Sequence, residues 1–137
     1  MEKLCAPNSK KWTDAKILAT NPLELAFVGD AVFSLYVREM LTNEHNASAN
    51  ALTKMAAAKV NAGAQYKSYR KIEGELTEFE KELCTRARNA NIRSRAKNYS
   101  VTEYIHATAF EALIGYLYLT EQTQRLNQIL IKSVEGI

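Results

Sequence analysis

Apolar residues in this chain recur three or four positions apart over long blocks, and no run alternates apolar with polar residue by residue. That spacing is the period of the α-helix, and it predicts helices along nearly the whole chain. Two prolines and five glycines leave few interruptions. A short helix is expected over residues 14–19. The next opens with Asn21 as N-cap, Pro22 in the first helical position and Glu24 placed to close a capping box, and it runs to about Leu41. The polar stretch Thr42-Asn43-Glu44-His45-Asn46 ends it. A long Ala-rich helix follows over residues 48–70, with Gly74 marking its end. Thr77 and Glu80 form a second capping box for a helix reaching Arg88, residues 89–101 read as a loop, and Thr102 caps a helix over residues 103–120. A last helix covers residues 122–133. The expected architecture is an all-α bundle, one domain over residues 1–137.

Two of these helices each carry a carboxylate among apolar and small residues. In Leu25-Ala26-Phe27-Val28-Gly29-Asp30-Ala31-Val32-Phe33, Asp30 has Ala26 and Phe27 a turn before it and Phe33 and Ser34 a turn after. That places it on an apolar stripe, away from solvent. Glu111 has Ala107, Thr108, Ile114 and Gly115 as its turn neighbours. Burying an unpaired carboxylate costs on the order of several kcal/mol, so such a residue brings a proton, a partner or a metal ion. Two inward acids far apart in sequence suggest one shared site, and small neighbours leave room for an ion and its waters. Mg²⁺ suits such a site: it takes oxygen ligands, keeps several waters, and is often held by one or two carboxylates plus substrate phosphate. It can orient an attacking water and stabilise the departing oxygen of a phosphodiester. From the residues alone, an exposed acid or one paired with a basic side chain stays open. Gly29 and Gly115 can equally be packing glycines, each costing about 1 kcal/mol of helix propensity relative to Ala.

Charge adds a second candidate. The net charge of +3 permits a polyanionic partner without demanding one. Between Leu83 and Thr102 there is no acid, yet Arg86, Arg88, Arg93, Arg95 and Lys97 occur there, interleaved with Asn89, Asn91, Asn98 and Tyr99. Arginine forks suit phosphate oxygens and Asn suits sugar or base edges. The alternative is a solvated loop balancing Glu73, Glu75, Glu78, Glu80 and Glu82. Lys54, Lys59, Lys67, Arg70 and Lys71 read as a solvated helix face, Tyr66 and Tyr69 as packing residues, and His45 and His106 as incidental. The run Tyr116-Leu117-Tyr118-Leu119 is too broad for one core face, so that helix is either fully buried or shared with a second subunit. Cys5 and Cys84 fit no metal or redox spacing and read as thiols in a reducing cytosol. No signal-peptide region, membrane-length run, Gly-rich phosphate loop, Ser nucleophile elbow or Cys-His pair is visible, and a cytoplasmic location is expected.

The stretch from Leu25 to Val32 resembles the signature helix of the ribonuclease III catalytic domain, and Phe110-Glu111-Ala112-Leu113-Ile114-Gly115-Tyr116-Leu117-Tyr118-Leu119 resembles its second metal-binding helix. The likeness is strongest to the short branch of that family, Mini-ribonuclease III, through Leu35-Tyr36-Val37-Arg38, Arg88-Asn89-Ala90 and Ala107-Thr108-Ala109-Phe110-Glu111. The resemblance implies a homodimeric all-α endoribonuclease that uses Mg²⁺ to cut double-stranded RNA and matures the large-subunit (23S) ribosomal RNA precursor. Asp30 and Glu111 would then be the catalytic metal ligands. Phe27 would pack near the dimer interface, and Arg86, Arg88, Asn89, Arg93, Arg95 and Lys97 would touch RNA. The wider family usually has further acids where this chain has Ala26 and Thr108, which favours one tightly held Mg²⁺ per site. No double-stranded-RNA-binding domain is expected, so the catalytic body selects the RNA, and an accessory ribosomal protein presenting it stays open. The rival reading is a non-catalytic RNA-binding or ribosome-assembly factor on the same helices.

Overall fold

The computed structural model describes residues 10–90 and 100–135. They form helices α1 (Asp14–Leu18), α2 (Pro22–Glu44), α3 (Ala49–Val60), α4 (Ala62–Ile72), α5 (Glu78–Ala90), α6 (Val101–Leu119) and α7 (Thr123–Ser133), with a single 3₁₀ turn at Glu73–Glu75. No strand occurs among the described residues, so the expected all-α architecture is the observed one.

Helix α6 is the axle, packed against α2, α4, α5 and α7. From Ala107 to Leu117 every residue is buried except Glu111. Of the broad apolar run at its end, Tyr116 and Leu117 are buried within this chain, while Tyr118 and Leu119 are half-buried against its core. Phe110 meets Phe33 of α2 edge to face at 5.0 Å, and Tyr116 stacks on Phe79 of α5 at 5.1 Å. Each fully buried aromatic or aliphatic side chain contributes about 1.5–3 kcal/mol, so this axle carries much of the core. Helix α2 buries Leu25, Ala26, Gly29, Phe33, Val37 and Leu41 against it, a helical stripe at spacings of three and four.

Local chemistry sets the helix ends. Asn21 Oδ1 accepts from the Leu23 amide ahead of Pro22. Thr77 and Glu80 make the expected reciprocal box at 3.2 and 2.9 Å. Helix α6 starts two residues earlier than expected: Ser100, not Thr102, is its N-cap, and Glu103 reaches back to the Ser100 amide. The larger correction concerns the Ala-rich helix, which is two helices broken at Asn61. That residue is extended (φ −72°, ψ 165°); its Oδ1 caps the Ala64 amide while its Nδ2 donates to the carbonyls of Ala57 and Ala58. One amide thus satisfies both new helix ends, and an unbroken helix gives way to a corner.

The α6–α7 corner closes with Glu121 at φ 56°, the Gln122 amide donating to Leu117 and the Glu121 amide to Tyr118. Across α5 and α7, Arg125 donates to both carboxylate oxygens of the buried Glu80 and to the Glu75 carbonyl. The Trp12 amide donates to the Leu119 carbonyl and ties down the entering chain.

Candidate active site

Helices α2 and α6 cross at two glycines, with nothing but backbone between them. A Cβ built on Gly29 would lie 1.7 Å from the Glu111 carbonyl oxygen, and one on Gly115 would lie 2.0 Å from that of Leu25. No other residue fits either position, so the helix-propensity cost of two glycines is the condition for this approach. The crossing sets Asp30, next to Gly29, beside Glu111, one turn before Gly115.

The two acids differ in surroundings. Glu111 is half sunk into the α2–α6 seam. Burial first, then the neighbouring Asp30 carboxylate, push its pKa up from 4.5 to about 9. Asp30 is exposed, which corrects the expectation that it lies on a buried stripe. The reason is that α2 is apolar on two faces. Its inner face is the Leu25, Gly29 and Phe33 row, while Phe27 and Leu35, which are 82% and 54% exposed, form with exposed Ala31 an apolar outer face. Asp30 stands on the border between them.

Two neighbouring carboxyls, one of them buried, are a fitting donor set for a hard divalent cation, which takes oxygen ligands and completes its shell with water and phosphate. Among the described residues no group of three or more His, Cys, Asp or Glu converges, so the protein offers such an ion two acids and no cage. The neighbouring positions without acids hold Ala26, buried, and Thr108, whose hydroxyl donates to the Tyr104 carbonyl.

The basic candidates separate. Arg86 is turned inward: its Nη2 donates to the Leu18 and Thr20 carbonyls at 3.3 and 3.2 Å, satisfying the end of α1. Arg88, in the last turn of α5, is half-buried and donates to the Tyr69 hydroxyl and to Thr85. Asn89 is exposed. Arg93, Arg95 and Lys97 lie outside the described residues, as do Asn91, Asn98, Tyr99 and Cys5. His106 packs against the rings of Tyr66 and Tyr69, each 5.4 Å away. Sequence carries no signal of this, since the partners come from α4. Cys84 is a free, fully buried thiol. No helix among the described residues is long and apolar enough to cross a membrane.

Residues 23–122 match the Ribonuclease III domain family. Mini-ribonuclease 3 of Thermoanaerobacter sp. (strain X514) is 42% identical over 130 residues, spanning 95% of this chain and 92% of the relative. Mini-ribonuclease 3 of Brevibacillus brevis is 45% identical over 120 residues, 85% of this chain and 90% of the relative. A crystal structure of a Fusobacterium nucleatum protein superposes with a TM-score of 0.80 at 36% identity, covering 88% of this chain and 97% of that one. The chain therefore belongs to the ribonuclease III family, alongside the Mini-ribonuclease 3 proteins, and its activity is that of an endoribonuclease.

Proposed function

We propose that the protein cleaves double-stranded RNA with Mg²⁺ held by Asp30 and Glu111, as a homodimer, in the cytoplasm. The observation that carries this reading is the glycine crossing that sets Asp30 beside Glu111, with Glu111 raised to about 9 by burial and by the neighbouring Asp30 charge. A site meant only to bind RNA is better served by cations at that seam. Asp30 and Glu111 would hold the divalent cation, which when bound would supply water activation and charge stabilisation at the phosphodiester. Glu111 would bind the cation in its deprotonated form, held in place by the buried α6 axle. Asp30, at the solvent border, would supply the second ligand where a phosphodiester can reach.

A-form RNA hides its bases in a deep, narrow major groove, so recognition rests on shape, phosphates and 2′-hydroxyls. Arg88 and Asn89, with Arg93, Arg95 and Lys97 following, supply donors for that backbone. Arg86, turned inward onto the end of α1, braces α5 behind them. The outer face of Phe27, Ala31 and Leu35 supports a twofold dimer, since a large exposed aromatic in an apolar row marks an interaction surface. The 23S precursor as natural substrate, with or without a ribosomal protein presenting it, is supported by the resemblance to Mini-ribonuclease III.

The test is Asp30→Asn, assayed on a long RNA duplex with Mg²⁺ and with chelator. Cleavage by the unaltered protein should require the ion, and the variant should lose cleavage while keeping its melting temperature and duplex affinity. Full activity in the variant overturns the assignment.

A further inference from the structure

Arg88 is held unlike Arg70, Arg86 and Arg125. Arg125 lies against the Glu80 carboxylate at 2.8 and 3.1 Å, and Arg70 meets Glu73 at 3.1 Å, so an acid neutralises each of them. Arg86 faces backbone carbonyls. Arg88 instead gives Nη1–H to the Tyr69 hydroxyl at 3.1 Å and Nη2–H to Thr85 Oγ1 at 3.2 Å, and it pairs with no carboxylate among the described residues. Two neutral oxygens fix the plane of a guanidinium without cancelling its charge, and a group with five N–H donors keeps several free.

The anchor itself is rigid. Tyr69 is 2% exposed, and its ring lies 5.4 Å from His106, whose Nδ1 donates to the Thr102 carbonyl at 2.7 Å. Burial foremost raises the Tyr69 pKa above its ordinary value, so the hydroxyl stays protonated and neutral. Helices α4, α5 and α6 thus converge on one arginine in the last turn of α5. Arg88, Thr85 and Tyr69 also line a hollow of about 270 Å³ between α4 and α5. The other charged groups facing it are Glu73, occupied by Arg70, and Lys81, occupied by Glu78 at 3.3 Å.

We infer that Tyr69 is a positioning residue for substrate: its buried hydroxyl holds the Arg88 guanidinium, charge intact, for a phosphodiester of the RNA. This rests on the reading of Arg88 as an RNA contact and adds the group that aims it. Thr85 is the weaker second holder, being at the exposed side of the fork.

The experiment compares the unaltered protein with Tyr69→Phe, Thr85→Val, Arg88→Ala and the Tyr69→Phe/Arg88→Ala double variant, measuring KM and kcat on an RNA duplex together with melting temperature. Tyr69→Phe keeps the ring and should raise KM about five-fold, the worth of one hydrogen bond to a charged group, with kcat nearly held. Thr85→Val should raise KM less, Arg88→Ala more, and Tyr69→Phe should add nothing once Arg88 is gone. If Arg88→Ala raises KM but Tyr69→Phe leaves it unchanged, or only lowers the melting temperature, the positioning role is wrong. An unchanged KM in Arg88→Ala removes the RNA contact and this inference with it. An undiminished effect of Tyr69→Phe in the Arg88→Ala background assigns the hydroxyl to packing instead.

Discussion

Gly29 and Gly115 touch backbone to backbone: a Cβ on Gly115 would stand 3.2 Å from the Gly29 amide nitrogen as well as 2.0 Å from the Leu25 carbonyl. Replacing either by Ala forces α2 and α6 apart and separates Asp30 from Glu111. Gly29→Ala and Gly115→Ala should each destabilise by on the order of 3 kcal/mol, read by denaturant unfolding. The fraction that folds should cut RNA far more slowly than its stability alone explains. A Cβ on Gly74 would have nothing within 4 Å, so Gly74→Ala serves as the control with little effect.

Without divalent ions, stability should fall as pH rises. Glu111 titrates near 4.5 when unfolded and at about 9 when folded, so between those values the folded chain binds the extra proton. Stability is then complete below the lower value and declines through the upper one. Melting temperatures in chelator from pH 5 to pH 9 should show the decline, roughly the window between these two titrations. Glu111→Gln should flatten it, and excess Mg²⁺ should offset it in the unaltered protein alone. A decline of equal size in Glu111→Gln would place its origin elsewhere.

Glu80 titrates in the opposite sense. Burial alone would raise its pKa, but the Arg125 hydrogen bonds, the Thr77 amide and the Arg125 charge outweigh burial and hold it below the ordinary carboxylate value. Its contribution is present at neutral pH and is lost as pH falls through that lowered value. Glu80→Gln should cost about 2 kcal/mol, less than the ~3–5 kcal/mol of a fully buried pair because Arg125 is partly exposed. The variant should also lose part of the acid-side decline in melting temperature.

Glu121 occupies the left-handed region at the end of α6, a position where glycine is free of Cβ strain. Glu121→Gly should stabilise the chain by about 0.5–1 kcal/mol, with cleavage unaltered, as measured by thermal melts and an RNA-duplex assay.

Most helices are legible in the sequence because one buried stripe repeats at helical spacing, as in α2 from Leu25 to Leu41. The break at Asn61 is not, since Ala-rich sequence continues on both sides and only an amide reaching both helix ends reveals the corner. The exposure of Asp30 is hidden for a related reason: with Phe27 and Leu35 on one side and Phe33 on the other, sequence cannot say which apolar row faces water. The acid pair stands out because small residues surround it. That Gly29 and Gly115 meet, that Arg86 is bound to α1, and that Tyr69 carries a second role are all relations between distant segments, with no periodic trace.

Glu111 sits on α6, the helix that α2, α4, α5 and α7 pack around, and most of the residues flanking it from Ala107 to Leu117 are buried. Exchange of the Ala107–Leu117 amides with deuterium should therefore proceed by whole-domain opening rather than by fraying. Catalytic lifetime at elevated temperature is consequently set by the unfolding of the entire body, and activity ends when the fold does.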